Sequence, residues 1–127
     1  MPILEVFIGG GIGAVCRFLL SRQINYLGLP TKFPVGTFIV NMLGCFAIGL
    51  LFQAIADNLV PKRFQLLLVT GFLGGFTTFS SFSLETVNLF GIKDFSAGLA
   101  NMLLSTVLGV AFVALGILAA AALHRAR

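Results

Sequence analysis

The chain has 127 residues, of which 58% are hydrophobic and 9% are charged, and its mean hydropathy is strongly positive. This composition excludes an ordinary soluble domain and predicts one all-α domain, residues 1–127, with the lipid bilayer as its solvent. The net charge of +4 does not indicate nucleic-acid binding, because lysine and arginine occur one or two at a time between apolar runs, as at the flanks of membrane spans.

Four apolar segments are predicted to cross the membrane, at residues 3–20, 36–56, 64–90 and 96–123. The first is rich in glycine, which favours close packing against another helix. Arg17 lies near its predicted end, where a buried charge costs about 2.5 kcal/mol or more unless it pairs or reaches water. Both a functional role for Arg17 and simple snorkelling fit this position. Residues 22–35 carry two prolines and are predicted to form a connecting loop.

Polar residues interrupt the second and fourth segments. Asn41 lies well inside the second segment, with Thr37 four residues earlier on the same helical face. An amide in this position either holds helices together or faces a functional cavity. In the fourth segment Asn101, Ser105 and Gly109 recur every four residues, and this narrow stripe, taken alone, favours a seam of helix contact.

The third segment contains the run TGFLGGFTTFSSFS at residues 70–83. Glycine costs a helix interior about 1 kcal/mol relative to alanine, and serine and threonine compete for main-chain groups. The run therefore predicts a helix broken in mid-membrane, and such breaks occur where ions or substrates are held. If the helix resumes afterwards, Phe79 and Phe82 share one face. By spacing alone, ordinary lipid or packing contacts are the better interpretation of these phenylalanines.

Glu85 lies in the later half of the same segment. An unpaired acid is costly inside a membrane. We therefore expect Glu85 to face water or a partner such as Arg17.

The charged residues predict no preferred orientation. With four spans, lysine and arginine divide equally between the two sides, with Lys62, Arg63, Arg125 and Arg127 on one and Arg17, Arg22, Lys32 and Lys93 on the other. Because an imbalance of these residues normally sets orientation, this distribution predicts insertion in both directions. Two oppositely inserted copies can pair about a two-fold axis in the membrane plane, so we expect an antiparallel, dual-topology homodimer.

Over nearly its whole length the chain resembles the small dual-topology fluoride channels (Fluc/CrcB type). The resemblance is carried by the glycine-rich first segment with Arg17, by GTFIVN at residues 36–41, and above all by GFLGGFTTFSSFSLE at residues 71–85. It implies a passive fluoride channel of the cell membrane (inner or plasma membrane) and not an enzyme. It also implies an antiparallel dimer with two narrow pathways and a structural sodium ion at the dimer interface.

The resemblance further implies roles for individual residues. Phe79 and Phe82 correspond to pore phenylalanines and Asn41 to a pore amide. The rest of the ion pathway corresponds to Ser80, Ser81, Asn101 and Ser105. The aqueous pore entrance corresponds to Arg17, Thr37, Asn41 and Glu85, and the sodium ligands to the main-chain carbonyls of Gly74 and Thr77. The line of polar residues along the fourth segment ends before Gly109 and Val113, two positions where hydroxyl-bearing residues are common in relatives.

Two other classes of protein fit the same length and number of spans. A small dual-topology drug or cation exporter would need a membrane-embedded carboxylate in its first helix, and Glu5 lies too near the start of that helix. A non-transporting membrane assembly subunit is the second alternative. The sequence contains no phosphate-binding loop and no nucleophile beside a base, which favours passive flow.

Overall fold

The computed structural model describes residues 1–126, which form helices joined by short connections. Four helical spans are long and apolar enough to cross a membrane: α1 (Pro2–Tyr26), α2 (Val35–Ala56), the third span (Lys62–Gly91) and α5 (Phe95–Arg125). Large apolar side chains such as Phe7, Phe52 and Leu118 are exposed on the outer surface. An apolar exterior suits a bilayer, and the prediction of an all-helical protein with four spans is confirmed.

Helix α1 continues to Tyr26, beyond its predicted end at residue 20, so the prediction that residues 22–26 belong to a loop was wrong. Nothing between Ser21 and Tyr26 breaks a helix. Arg22 also donates a hydrogen bond to the Tyr26 hydroxyl one turn later, at 3.2 Å. The helix stops before Gly28, whose φ of 59° is a left-handed conformation that glycine adopts without strain.

The third span combines several helical forms. A 3₁₀ turn (Lys62–Phe64) precedes a π-helix (Leu66–Leu73), a short α-helical turn α3 (Gly74–Phe76) and the regular helix α4 (Phe79–Gly91). Gly74 and Gly75 are themselves helical. The residues with extended dihedral angles are Thr77, with ψ of 157°, and Thr78, with φ of −147° and ψ of 117°.

Close approach of main chains organises the packing. Helix α1 packs against the π-helix and α3, while α2 packs along α5 and α4 also contacts α5. A Cβ atom on Gly13 would overlap the carbonyl of Phe72, and one on Gly49 would overlap the carbonyl of Val113. Small residues at these points set the distance between the helices, because any side chain would force the main chains apart.

The connections at one end of the bundle are tied together by Asp94. Its carboxylate accepts a hydrogen bond from the main-chain N–H of Ala97 at 3.2 Å and so caps the start of α5. Lys32, in the connection between α1 and α2, lies 3.8 Å from the same carboxylate.

Candidate functional site

The main chain of Thr78 is held by a side chain from α2. Asn41 Nδ2 donates a hydrogen bond to the Thr78 carbonyl at 3.1 Å, and the Thr78 N–H donates to Asn41 Oδ1 at 2.9 Å. Because Thr78 is extended, its main-chain N–H and carbonyl cannot form helical hydrogen bonds. The bonds to Asn41 satisfy both groups. Asn41 therefore fixes the point where helical geometry stops, and one of its two N–H groups is committed to this contact.

Thr78 lines two cavities. The first, which we call the arginine cavity, has a volume of about 560 Å³ and is lined in part by Arg17, Arg22, Tyr26, Thr37 and Ser81. The second, the phenylalanine cavity, has a volume of about 490 Å³ and is lined in part by Asn41, Phe79, Phe82 and Ser105. The structure thus brings most of the predicted site residues to two spaces that share one residue.

The arginine cavity carries positive charge. Arg22 donates to the Tyr26 hydroxyl and its guanidinium lies 5.4 Å from the centre of the Tyr26 ring. Within the described residues, Arg17 forms no ion pair. Since none of the residues 1–126 that line this cavity is acidic, its potential favours small anions.

Glu85 has a different partner from the one considered in the sequence. Its Oε1 accepts a hydrogen bond of 2.6 Å from the hydroxyl of Thr37, and it forms no ion pair with Arg17 in the part of the chain described. The other carboxylate oxygen, Oε2, is buried without a hydrogen-bond partner among those residues. Glu85 reaches the arginine cavity only through Thr37, and it lines a smaller cavity of about 240 Å³ with Lys32.

The two phenylalanines form a tilted pair at the wall of their cavity. Their ring centres are 5.6 Å apart and the planes meet at 45°. Phe79 is 80% exposed, and Phe82 is half-buried. Because the rim of an aromatic ring carries partial positive charge, exposed rims can contact an anion.

Hydroxyl groups cluster where α4 begins. The Thr78 hydroxyl accepts a hydrogen bond from the main-chain N–H of Ser81 at 3.2 Å, donates to the Ser81 hydroxyl at 3.1 Å and lies 3.3 Å from the Ser80 hydroxyl. Ser81 accepts from Thr78, which leaves its own O–H available to a ligand in the arginine cavity.

Asn101 and Ser105 differ in their surroundings. Ser105 lines the phenylalanine cavity, whereas Asn101 is 2% exposed and lines none of the cavities described above. Asn101 Nδ2 donates to the hydroxyl of Thr86 at 2.8 Å, and Asn101 Oδ1 accepts from the hydroxyl of Ser105 at 3.3 Å. At Asn101 the predicted stripe is a contact between α4 and α5.

Main-chain carbonyls are left free where helical geometry stops. In a continuous helix the N–H groups of Thr78 and Ser81 would bond to the carbonyls of Gly74 and Thr77. Here they bond instead to the side chains of Asn41 and Thr78. Among the described residues, the carbonyls of Gly74 and Thr77 accept no main-chain hydrogen bond. Free carbonyl oxygens are the kind of ligand that hard cations prefer.

Sequence reasoning missed Thr78 and Thr86. Thr78 could have been found as a helix cap, since threonine is a preferred residue at that position and Thr78 directly precedes the resumed helix. Thr86 follows Phe82 by four residues, the spacing at which a threonine hydroxyl bonds back to a main-chain carbonyl. Nothing local indicates that Asn101 reaches Thr86.

Comparison with known proteins identifies the family of the chain. Residues 4–117 match the family described as "CrcB-like protein, Camphor Resistance (CrcB)". The chain is 46% identical over 121 residues to the "Fluoride-specific ion channel FluC" of Solibacter usitatus, covering 94% of this chain and 98% of that protein. It is 48% identical over 118 residues to the protein of the same name from Magnetococcus marinus, covering 92% and 95% of the two chains.

A third relative, from Ruminiclostridium cellulolyticum, carries the same name and is 46% identical over 116 residues, covering 90% of this chain and 88% of its own. All three relatives are named as ion channels and none as an enzyme. Together with the four apolar spans, these matches identify a multi-pass membrane protein of the cell membrane. The chain belongs to the CrcB-like (Camphor Resistance) family.

Proposed function

We propose that this chain is a fluoride-selective channel, which lets fluoride leave the cell passively through pathways formed in an antiparallel dimer. The observation that carries the proposal is the junction at Thr78, where the arginine and phenylalanine cavities share a residue that Asn41 holds in place. The ion is taken from the names of the relatives.

The arginine cavity collects the ion. Arg17 and Arg22 line it, and no carboxylate from the described part of the chain does, so its positive potential raises the local concentration of anions. Arg17 is half-buried within a membrane span, a costly position for a charge that faces neither water nor an anion.

The neighbouring groups replace the water that fluoride loses. Ser81 retains an O–H donor and Asn41 retains one N–H beyond its bond to Thr78. The rims of Phe79 and Phe82 add weak positive charge along the phenylalanine cavity. Several weak neutral donors favour conduction, because a single strong site would hold the ion too well. Exclusion of larger halides requires a bore that admits only the smallest halide.

The proposal places Thr77 and Thr78 at membrane depth. The third span has 30 residues, longer than the roughly 20 that a straight helix needs to cross a bilayer. Extended main chain inside hydrocarbon is tolerated only where protein buries it or a watery cavity adjoins it. The bonds from Asn41 and the two cavities at Thr78 meet that requirement.

A second copy of the chain completes the pathway. Phe79 projects from the protomer surface, and the face that contains it and Gly74 is exposed. One protomer therefore cannot enclose an ion beside these groups. The equal division of lysine and arginine between the two sides supports a partner inserted in the opposite direction. A two-fold axis then places the same face of each copy against the other.

The freed carbonyls of Gly74 and Thr77 support a sodium ion on that axis. One protomer offers two oxygen ligands and two protomers offer four. Sodium bound there would neutralise the carbonyl dipoles and link the two third spans, which is a structural role.

Purified protein in liposomes tests the function. We expect fluoride efflux to follow the fluoride gradient and chloride efflux to be close to that of protein-free liposomes. Cation–proton antiport would instead support the exporter, and the absence of any flux would support the assembly subunit. Either result would overturn the proposed channel.

The topology has its own test. We expect a C-terminal tag to react with a membrane-impermeant label from both sides of the membrane. Reaction from one side alone would refute dual topology while leaving the flux measurement unaffected.

A further inference from the structure

We propose that Asn101 and Thr86 are positioning residues, which orient Phe82 in the phenylalanine cavity through a buried chain of hydrogen bonds and do not contact the ion. This inference rests on the proposed function, because the orientation of Phe82 matters only if that cavity conducts. It differs from the sequence prediction, in which Asn101 belongs to the ion pathway itself.

The chain of hydrogen bonds runs in one direction from α5 to α4. The Ser105 hydroxyl donates to Asn101 Oδ1 at 3.3 Å, and Asn101 Nδ2 donates to the Thr86 hydroxyl oxygen at 2.8 Å. The Thr86 hydroxyl in turn donates to the main-chain carbonyl of Phe82 at 2.8 Å. Each hydroxyl proton has one acceptor, so the orientation of the amide is fixed by its partners.

The middle of this hydrogen-bond chain is buried away from both cavities. Asn101 and Thr86 are both buried, and neither lines the arginine cavity or the phenylalanine cavity. Ser105 and Phe82 do line the phenylalanine cavity. Asn101 and Thr86 therefore link Ser105 to Phe82 without themselves reaching the phenylalanine cavity.

The points at which these hydrogen bonds meet α4 explain why they orient its two phenylalanine rings. Thr78, held by Asn41, precedes Phe79, and Thr86, held by Asn101, follows Phe82. Helix α4 is thus fixed by a side-chain amide on each side of the two rings.

Hydrogen bonds are needed for this because apolar contacts alone do not set the rotation of a helix in a bilayer. Lipid tails are as apolar as leucine, so sliding or rotating an apolar helix face costs little, whereas a buried hydrogen bond has one direction. A ring offers an anion its rim or its face, and only the rim is attractive. A rotation of α4 would therefore change which halides pass before it changed the fold.

Isosteric replacements test the inference. Thr86→Val removes the hydroxyl and keeps the shape, while Thr86→Ser keeps the hydroxyl. Ser83→Ala is the matched control, since the Ser83 hydroxyl bonds back to the Phe79 carbonyl at 2.9 Å in the same helix but makes no bond to α5. The measured quantity is the ratio of fluoride to chloride efflux from liposomes, with dimer recovery measured in parallel.

We expect Thr86→Val to lower the efflux ratio by at least about fivefold, the effect of losing one typical hydrogen bond. Thr86→Ser should restore the ratio and Ser83→Ala should leave it unchanged. A lowered ratio in Ser83→Ala equal to that in Thr86→Val would overturn the inference, because the link to α5 would then be irrelevant.

If either single variant folds poorly, the double variant Thr86→Val with Asn101→Leu tests the positioning role instead. Replacing both partners by apolar groups of similar shape leaves no unpaired polar atom, so the dimer should assemble. We expect it to assemble with a lowered efflux ratio. An unaltered ratio, or failure of the double variant to assemble, would overturn positioning by these residues. Absence of fluoride efflux from the unsubstituted protein would instead overturn the proposed function.

Discussion

Asn41 and Thr78, separated by 37 residues in sequence, exchange two hydrogen bonds of 3.1 and 2.9 Å. Through them α2 satisfies both main-chain groups of a residue that has left helical geometry. Because an unpaired amide inside hydrocarbon costs several kcal/mol, the contact allows an extended residue to exist between two apolar helical segments. The same residue borders both cavities, so the geometry of the proposed pathway depends on this pair.

Asn41→Asp tests that dependence. Aspartate can accept from the Thr78 N–H but cannot donate to the Thr78 carbonyl, so we expect the free energy of unfolding to fall by about 1–3 kcal/mol. Fluoride efflux should also fall, because a fixed negative charge repels the anion. Thermal unfolding and liposome efflux measure the two effects.

Asn25→Asp is the control for charge alone. Asn25 lines the arginine cavity, and the same substitution there adds a carboxylate without breaking the bonds to Thr78. We expect reduced efflux with little change in unfolding. Equal stability of the Asn25 and Asn41 variants would contradict the role of Asn41 as a clamp.

Phe82→Ile tests the aromatic wall. The substitution keeps an apolar side chain but removes the ring rim, and we expect fluoride efflux to fall about tenfold, equivalent to roughly 1.4 kcal/mol in the barrier. Phe52→Ile, at an exposed position on the outer surface, is the control and should conduct normally. Normal efflux through Phe82→Ile in intact dimers would remove that ring from the pathway.

Substitutions at two neighbouring glycines test folding of the chain and assembly of the proposed dimer separately. A Cβ atom on Gly75 would overlap the main chain of Gly10, so Gly75→Ala should destabilise the protomer by about 1–3 kcal/mol. A Cβ atom on Gly74 would meet nothing within 4 Å in the protomer. We therefore expect Gly74→Ala to fold normally and to reduce dimer recovery on gel filtration. Unchanged dimer recovery would argue against an interface at Gly74.

Removal of sodium tests the carbonyl site. A ligand that binds the dimer alone stabilises it by mass action, so each tenfold reduction of sodium above its dissociation constant should cost about 1.4 kcal/mol per site. We expect the dimer to dissociate more readily when sodium is replaced by a large organic cation at constant ionic strength. Identical dissociation in both solutions would refute the structural sodium ion.

Asp94→Ala tests the cap of α5. The loss of the bond to the Ala97 N–H should cost about 1 kcal/mol of unfolding free energy. Lys32→Ala removes only the ion pair of 3.8 Å, whose lysine is exposed, and should cost less than about 1 kcal/mol. If the two variants lost the same stability in a denaturant titration, the cap would not be the main contribution of Asp94.

Local patterns in the sequence were sufficient for the coarse architecture. Hydropathy predicted four spans, because the length of an apolar run is all that a bilayer requires of a helix. The family resemblance could also be recognised from residues 71–85, where glycines, hydroxyls, phenylalanines and an acid occur in one register. The end of α1 was predicted less well. The prolines at positions 30 and 34 indicated a loop from residue 22, although no helix-breaking residue occurs between Ser21 and Gly28.

Only the tertiary structure decided which polar groups meet. Helical spacing assigns Asn101 and Ser105 to one face, but it does not say that Asn101 meets Thr86 behind the cavity while Ser105 lines it. Helical spacing likewise could not predict the hydrogen bond between Thr37 and Glu85, which lie 48 residues apart. The physical reason is that periodicity depends on one helix, whereas a hydrogen bond between helices depends on the distance and relative rotation of two helices, which the spacing within either one does not contain.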